Sequence, residues 1–384
     1  MRPLLLVALA TTLLTAAPAH AAGPADPWVR AWGDNTQGQL GNGSVLAQQT
    51  PAAVVGVARD DVREVFAGGG ANKDAFAVAL LNDGTVKSWG ANDKGQLGNG
   101  TTTAQPFPGT VAGLFGVSDL SAGSDHVLAV KAGRVLAWGS NAKKQLGTGQ
   151  DTTNPYKTPT TVQSLDRVKD VGAGCEFSVA LRQDGTVWTW GAGANGRLGT
   201  GGTANRETPQ QISDLTDVDA ISVGCDHVLA LTADGVVKAW GKGTDGQLGD
   251  DLKTDSPKPV DVAYLDTVAK IFATHSSSFA VLDDGSVQAW GKNDTRQLAD
   301  GTTANRTSAV PVDILKGVQE IAGGPDFTLA ALDDGSVIGW GANTAAQLGD
   351  GTLVSPPGTT TTLPPGSGVT HVTATKAGKS GYAY

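Results

Sequence analysis

The sequence predicts an all-β fold, a seven-bladed β-propeller, on three observations. Trp-Gly recurs at gaps of 57, 49, 52, 50, 50 and 50 residues, a period typical of repeat architectures. Each repeat has room for four short strands, which is the content of a propeller blade. The two ends of the chain supply complementary halves of one repeat. The seven tryptophans are Trp32, Trp89, Trp138, Trp190, Trp240, Trp290 and Trp340.

A β-hairpin precedes each of the last six Trp-Gly pairs. In one copy, two β-prone runs at 228–231 and 236–240 flank Asp234-Gly235. Gly accepts the positive φ that tight hairpin turns require, and Asp tolerates it better than most residues. The same turn recurs at Asp83, Asp184, Asp284 and Asp334.

The remainder of each repeat follows the Trp-Gly pair. A segment ending in Gln-Leu-Gly or a close relative comes first, as in GANDKGQLG and GAGANGRLG. Thr, Pro and Gly and then a short apolar run lead to the next hairpin. No sustained helical periodicity is present, which excludes an α-solenoid.

The two ends of the repeat array predict how the ring closes. Residues 28–33 carry the second hairpin strand without the first, and residues 372–384 carry the missing part. We therefore expect N- and C-terminal strands to pair in one blade, which removes the open sheet edges.

The first 21 residues have the features of a secretory signal peptide. Arg2 is followed by an apolar run from Leu4 to Leu14 and by Ala19-His20-Ala21, a small-x-small cleavage site. We expect the signal to be removed, residues 22–384 to form a single propeller, and the protein to be secreted or periplasmic.

Composition limits the classes of partner. The chain has 28 Lys and Arg against 37 Asp and Glu, a formal net charge of −9. A nucleic-acid-binding protein needs a cationic surface to displace counterions, and no basic run is present. We expect no nucleic-acid binding, no membrane insertion, no cofactor and a monomer, because a closed ring needs no second copy to fold.

The repeat pattern resembles the regulator of chromosome condensation repeat. The resemblance rests on Gly-x-Val-x-x-Trp-Gly-x-Asn-x-x-Gly-Gln-Leu-Gly and on Ala-Gly-x-x-His-x-Leu-Ala-Leu, found at 122–130 and 223–231. It covers about residues 28–384 and is similar to bacterial secreted members called alpha-tubulin suppressor-like. The resemblance implies the seven-bladed fold.

Function does not follow from that fold. The best-known member of the family exchanges nucleotide on the GTPase Ran at chromatin. This chain instead has an export signal, an acidic balance and no basic tail. Neither the exchange activity nor its residues are therefore carried over. A secreted β-lactamase inhibitor with shorter repeats is similar in architecture alone.

Aligning the repeats on the hairpin Gly brings together candidate site residues. The Trp-Gly tryptophans recur at one position, which favours packing between blades. Cys175, Cys225 and His275 fall on three consecutive blades. Three interpretations stay open for the cysteines: two buried free thiols, a disulfide between blades in an exported protein, or a Cys-Cys-His metal site.

The next aligned position holds four carboxylates. An acidic ring of this kind could bind a cation or supply an acid and a base, or each acid could accept backbone hydrogen bonds in a turn. His126 and His227 share a position with phenylalanines, which predicts a semi-buried packing position. The four carboxylates are Asp125, Glu176, Asp226 and Asp326.

Partner-binding candidates are aromatic or apolar residues outside the repeated core. Trp188 and Leu136, at one strand position on adjacent blades, could form an apolar patch, and three aromatics lie in the connections. The three are Phe107, Tyr156 and Tyr264. We expect a non-catalytic module that binds a protein or ligand. The alternatives are an inhibitor of a secreted enzyme and a hydrolase or lyase that uses the acidic ring.

Overall fold

The computed structural model describes residues 28–70, 74–150 and 152–384. They form seven antiparallel four-stranded sheets, arranged as the blades of one propeller. The predicted signal peptide and its cleavage site lie outside the described residues. No helix of the described part is long and apolar enough to cross a membrane.

Strands β1 to β28 are numbered along the chain, and β1 (Trp28–Gly33) and β2 (Gln48–Ala58) belong to the closing blade. Blade 1 contains β3 (Val62–Gly68), β4 (Phe76–Leu81), β5 (Val86–Gly90) and β6 (Gln105–Thr110). Blade 2 contains β7 (Val117–Ala122), β8 (His126–Lys131), β9 (Arg134–Gly139) and β10 (Tyr156–Thr161). Blade 3 contains β11 (Val168–Ala173), β12 (Phe177–Arg182), β13 (Val187–Gly191) and β14 (Arg206–Gln211). Blade 4 contains β15 (Val218–Val223), β16 (His227–Thr232), β17 (Val237–Gly241) and β18 (Ser256–Asp261).

The remaining blades repeat this order. Blade 5 contains β19 (Val268–Ala273), β20 (Ser277–Leu282), β21 (Val287–Gly291) and β22 (Arg306–Pro311). Blade 6 contains β23 (Val318–Gly323), β24 (Phe327–Leu332), β25 (Val337–Gly341) and β26 (Thr360–Leu363). Blade 7 combines β27 (Val372–Ala374) and β28 (Ser380–Ala383) with β1 and β2. Two 3₁₀ turns lie at Arg59–Asp61 and Ala194–Gly196.

Blade 7 closes the ring as the sequence predicts. Strand β28 pairs with β1 in an antiparallel register that places Tyr382 opposite Ala31. The Tyr382 hydroxyl donates to the Gln39 carbonyl at 2.5 Å. Because β28 hydrogen-bonds to β1, strands from both ends of the described chain are held in one blade.

The molecule has two faces. The turn face carries the Asp-Gly hairpins between the second and third strands and the connections that lead into each new blade. The loop face carries the short turns between the first and second strands and the Gln-Leu-Gly loops. The innermost strands surround a central channel that runs between the two faces.

The seven Trp-Gly tryptophans lie between neighbouring blades and together form what we call the Trp seam. Their contacts explain the repeated motif. All seven Trp-Gly tryptophans are buried, and each indole N–H donates to a backbone carbonyl of the preceding blade at 2.7–3.1 Å. Trp290, for example, donates to Gln247 O, and a Cβ placed on Gly249 would lie 2.8 Å from Trp290 Nε1. Gly249 also has a φ of +72°. Both the backbone conformation and the available space therefore favour Gly at the end of Gln-Leu-Gly.

Candidate functional site at the channel mouths and the rim

The loop-face mouth of the channel holds the two cysteines. Cys175 on blade 3 and Cys225 on blade 4 form a disulfide, with their Cα atoms 4.6 Å apart. Of the three interpretations left open by the sequence, the structure adopts the disulfide, and neither cysteine is a free thiol. This bond joins two neighbouring blades close to the channel axis.

His275, on blade 5, lies beside this disulfide. Among the residues that the structure describes, Cys175, Cys225 and His275 are the one set of three potential metal-binding side chains whose ligand atoms lie within 4.8 Å of one another. Burial lowers the pKa of His275, which favours the neutral imidazole. His275 Nδ1 lies 2.9 Å from Lys376 O, so this nitrogen donates a hydrogen bond.

Most carboxylates of the acidic ring lie beside a basic side chain. Arg197 Nη1 lies 2.8 Å from Asp226 and 4.0 Å from Glu176, and only 8% of the Arg197 side chain is exposed. Arg197 occupies the Gln position of Gln-Leu-Gly. This exception to the motif is visible in the sequence, but the contact of Arg197 with the acids is not. Lys379 lies 3.5 Å from Asp326. Three of the four carboxylates therefore have a cation of the chain beside them.

Asp125 is the exception within the acidic ring. Burial, reinforced by the nearby carboxylates of Asp74 and Asp93, raises the pKa of Asp125 to about 6. Asp125 Oδ1 is buried without a hydrogen-bond partner in the described part of the chain. In the described residues the carboxylates of the ring do not bring three ligand atoms together, which gives no support to the cation-binding alternative.

The turn-face mouth carries a second set of charged residues, which the sequence argument missed. The third residue from the start of the inner strand is a carboxylic acid in four blades, and these side chains line a cavity of about 530 Å³. They could have been found by aligning the repeats on the valine that begins each inner strand. The four acids are Glu64, Asp119, Asp170 and Glu320, and His371 joins them in the cavity wall from the residue before β27.

The turn-face carboxylates link neighbouring blades. Asp119 Oδ2 accepts a hydrogen bond from Val171 N at 2.8 Å, and Glu320 Oε2 accepts one from Val372 N at 2.9 Å. Burial raises the pKa of Asp119 and of Asp170, and the nearby Glu64 carboxylate raises both further. The geometry gives these acids a structural role, because they satisfy backbone amides across the gap between blades.

His126 and His227 are fully buried, not semi-buried as the sequence predicts. The Ser178 hydroxyl donates to Gln145 O at 2.7 Å, so His126 Nε2 must be the donor across its 3.0 Å contact with Ser178. His227 and Ser278 repeat this arrangement at 2.9 Å. Where the aligned residue is Phe177, the facing residue of the next blade is the apolar Val228.

The predicted partner-binding residues separate into two groups. Trp188 and Tyr156 pack against the core cluster between blades 2 and 3, and Leu136 packs against the cluster between blades 1 and 2. All three are partly buried, and Trp188 and Leu136 pack against different clusters. Phe107 is 52% exposed and Tyr264 74% exposed, but Phe107 lies towards the loop face and Tyr264 on the turn face.

Exposed aliphatic residues join Phe107 at the outer edge of the loop face. Five side chains from blades 6, 7 and 1 are each 51–71% exposed. We call them the rim patch. Sequence reasoning considered aromatic residues and so overlooked four of the five. The rim patch consists of Val45, Leu46, Phe107, Leu353 and Val354.

Backbone contacts make the rim patch continuous. Gly351 N in the blade 6 loop donates to Gln49 O of blade 7 at 2.9 Å. Gly43 N in the blade 7 loop donates to Pro106 O of blade 1 at 3.0 Å. The Phe107 ring covers Gly43, where an added Cβ would lie 2.3 Å from the ring. The five side chains of the rim patch therefore lie on three consecutive blades whose loops contact one another.

Comparison with known proteins agrees with this architecture. The RCC1-like domain model matches residues 131–380, and the regulator of chromosome condensation (RCC1) repeat model matches residues 29–71 and 83–130. The E3 ubiquitin-protein ligase HERC2 of Homo sapiens is 32% identical over 188 residues, which are 45% of this chain and 4% of HERC2. The ultraviolet-B receptor UVR8 of Arabidopsis thaliana is 30% identical over 133 residues, 34% of this chain and 30% of UVR8.

A solved structure extends the likeness to nearly the whole ring. Prp20p from Saccharomyces cerevisiae superimposes with a TM-score of 0.81 at 22% identity, covering 93% of this chain and 90% of Prp20p. At that identity the likeness concerns the fold. The aligned segments span less than a third of HERC2 and UVR8. Because the repeat and domain models together match most of its length, the chain belongs to the RCC1 repeat family.

Proposed function

We propose that this chain is an exported protein-binding module that presents the rim patch to a partner protein. One observation carries the proposal: apolar residues replace polar ones at equivalent positions in three consecutive blades. Val45 and Leu353 stand where blades 1 and 5 have Thr102 and Thr303. Phe107 stands where blades 3 and 5 have Thr208 and Ser308.

Physical cost explains why this substitution pattern is informative. Each exposed apolar side chain forgoes the free energy of burial, about 25 cal/mol per Å² of apolar surface. Single exposed apolar residues are common, whereas contiguous apolar patches mark interaction sites. Other blades form the same sheet with smaller or polar residues at these positions, as at Thr102, Ala304 and Ser308, so folding alone does not require the rim patch.

The family relationship supports a protein as the partner. Prp20p, which shares the fold, is described with binding properties to Gsp1p and histones. Those partners belong to Prp20p. We carry over only the mode of action, in which a rigid ring displays surface residues to another protein. The predicted signal peptide makes the partner an exported or extracellular protein.

The rival functions have weaker support. A hydrolase or lyase at the acidic ring needs free carboxylates in one cleft, whereas Arg197 and Lys379 lie beside three of them. Inhibition of a secreted enzyme remains one form of protein binding. The rim patch contains a single aromatic residue, Phe107, so it does not specifically favour the aromatic surface expected for a β-lactamase inhibitor.

Affinity capture with matched variants tests the proposal. The residues of the rim patch are replaced by those of other blades, as Val45→Thr, Leu46→Thr, Phe107→Thr, Leu353→Thr and Val354→Ala. The control replaces equally exposed residues elsewhere, as Phe115→Ser, Leu252→Thr and Ile314→Thr. Each protein is immobilised and exposed to culture supernatant and cell-envelope extract of the source organism.

Quantitative mass spectrometry then compares the captured proteins. The proposal predicts a stoichiometric partner that wild type and control retain and the rim variant loses. Retention of every captured protein by the rim variant would contradict it. Equal losses from the rim variant and the control would also contradict it, because the effect would then reflect general surface apolarity.

A further inference from the structure

We propose that reduction of the Cys175–Cys225 disulfide creates a metal site, in which two thiolates and the His275 imidazole bind a thiophilic closed-shell cation, Cu⁺ or Zn²⁺. The inference concerns the channel mouth and does not depend on the rim patch. The disulfide form does not bind the metal, and the dithiol form binds it.

Proximity is the first support. The ligand atoms of the three residues lie within 4.8 Å of one another although the residues come from three blades. A single ion with Zn–S bonds near 2.3 Å and Zn–N bonds near 2.0 Å needs ligand atoms roughly 3–4 Å apart. Small side-chain rotations after reduction are enough to reach that arrangement.

The backbone holds the three residues in place without the disulfide. Cys175 N donates to Cys225 O at 2.9 Å, and Cys225 N donates to His275 O at 3.1 Å. Each residue also lies in a tight turn closed by its own strands, as in Gly174 N to Phe177 O at 2.9 Å. Breaking the S–S bond therefore leaves the Cα positions fixed, so the dithiol remains beside the imidazole.

The hydrogen bond of His275 leaves one ring nitrogen able to bind a metal. Its Nδ1 donates to Lys376 O at 2.9 Å, which fixes the proton on Nδ1 and leaves the lone pair on Nε2. Metal-binding histidines commonly donate their second ring nitrogen to a carbonyl in this way, which sets both tautomer and ring orientation. His126 and His227 instead use Nε2 towards a serine within the blade gap.

The donor set selects the ion. Thiolates favour Cu⁺ and Zn²⁺ over hard cations such as Mg²⁺ and Ca²⁺. Three ligands suffice for Cu⁺, whereas Zn²⁺ needs a fourth, which water can supply. An external dithiol supplies two electrons and two protons, becomes oxidised to its own disulfide, and leaves two cysteine thiols. Metal binding then releases both thiol protons.

Metal titration of the two redox forms tests the proposal. The protein is reduced with a phosphine, freed of reductant without oxygen, and titrated with Cu⁺ buffered by bicinchoninate or with Zn²⁺ buffered by a pyridylazo dye. The reduced protein should bind one equivalent in at least one titration, and the oxidised protein none. The ion that the reduced protein removes from its chelator or dye identifies the metal of the site. Equal binding by the two redox forms, or none in either titration, would overturn the proposal.

Variants separate the three-ligand site from simple dithiol binding. His275→Gln should weaken metal affinity roughly 10–100-fold. His371→Gln, at the opposite mouth of the channel, should leave the affinity unchanged. Cys225→Ser should abolish binding. If Cys225→Ser does not fold, X-ray absorption of the metal-loaded wild type decides, since two sulfur and one nitrogen neighbours are expected. An unchanged metal affinity in the His275→Gln variant would show that the imidazole is not a ligand.

Discussion

The Trp seam and the rim patch use the same repeat in opposite ways. At the seam, seven blades place the same residue in the same contact, an indole that donates to the carbonyl before Leu in the preceding blade. At the rim, three blades depart from the residues found elsewhere and expose large apolar side chains, aliphatic in blades 6 and 7 and aromatic in blade 1. Repetition therefore marks what the fold requires, and departure from repetition marks where a specific function can reside.

Removal of a seam tryptophan should have the largest effect on stability. Trp190→Ala leaves a cavity between two blades and removes the donor to Gln145 O, which should lower the free energy of unfolding by about 3–5 kcal/mol. Trp188→Ala is the matched control on the same strand, where the indole is only partly buried, and should cost about 1 kcal/mol. Chemical denaturation measures both. Equal losses would show that the seam is not specially stabilising.

The buried histidines should make stability depend on acid pH. Burial lowers the pKa of His126 and of His227 to about 3, while the ordinary value is 6.5. At these two histidines the unfolded chain therefore binds more protons between these values, so their contribution to stability falls as pH drops from about 6.5 towards 3. Each histidine contributes up to about 1.4 kcal/mol per pH unit inside that window.

Substitution by the pair used in other blades tests this contribution. His126→Phe with Ser178→Val reproduces the combination of Phe177 and Val228. We expect the slope of unfolding free energy against pH between 4 and 6 to decrease relative to wild type. His371→Gln is the control, since Glu320 raises the pKa of His371 instead. An unchanged slope in the double variant would mean that His126 is accessible to protons.

Exchanging Gly and Ala at the end of the motif should have a smaller and symmetrical effect. Ala299 replaces the Gly of Gln-Leu-Gly in blade 5 and has a φ of +58°, a conformation that costs Ala roughly 1 kcal/mol relative to Gly. Ala299→Gly should therefore raise stability by about 1 kcal/mol. Gly249→Ala should lower it by at least as much, because the Cβ would also press on Trp290. Thermal unfolding of the two variants should shift in opposite directions.

Sequence reasoning predicted the fold because each repeat contains short segments whose local structure can be predicted from their residues. The Asp-Gly turns, the strand lengths and the complementary terminal fragments each depend on neighbours along the chain. Ring closure between β1 and β28 followed from the missing strand at each end. These features need no knowledge of which side chains face each other across a blade gap.

The candidate site was less predictable for that same reason. Aligning the repeats placed Cys175, Cys225 and His275 together but could not choose among thiols, disulfide and metal site, because the choice depends on distances. Arg197 was visible as an exception in the motif, yet its contact with Asp226 depends on the next blade. Leu46 and Val354 were overlooked because exposure of an aliphatic residue in a loop follows from the folded surface.

The rim patch should have the smallest effect on stability and the largest on binding. The five-residue rim variant should change the free energy of unfolding by less than about 0.5 kcal/mol per site, since none of its side chains lies in the core. The decisive measurement is the affinity of the captured partner for wild type, rim variant and control by titration calorimetry. The account predicts at least a tenfold weaker complex, about 1.4 kcal/mol, for the rim variant alone. Wild-type affinity in a folded rim variant would contradict it.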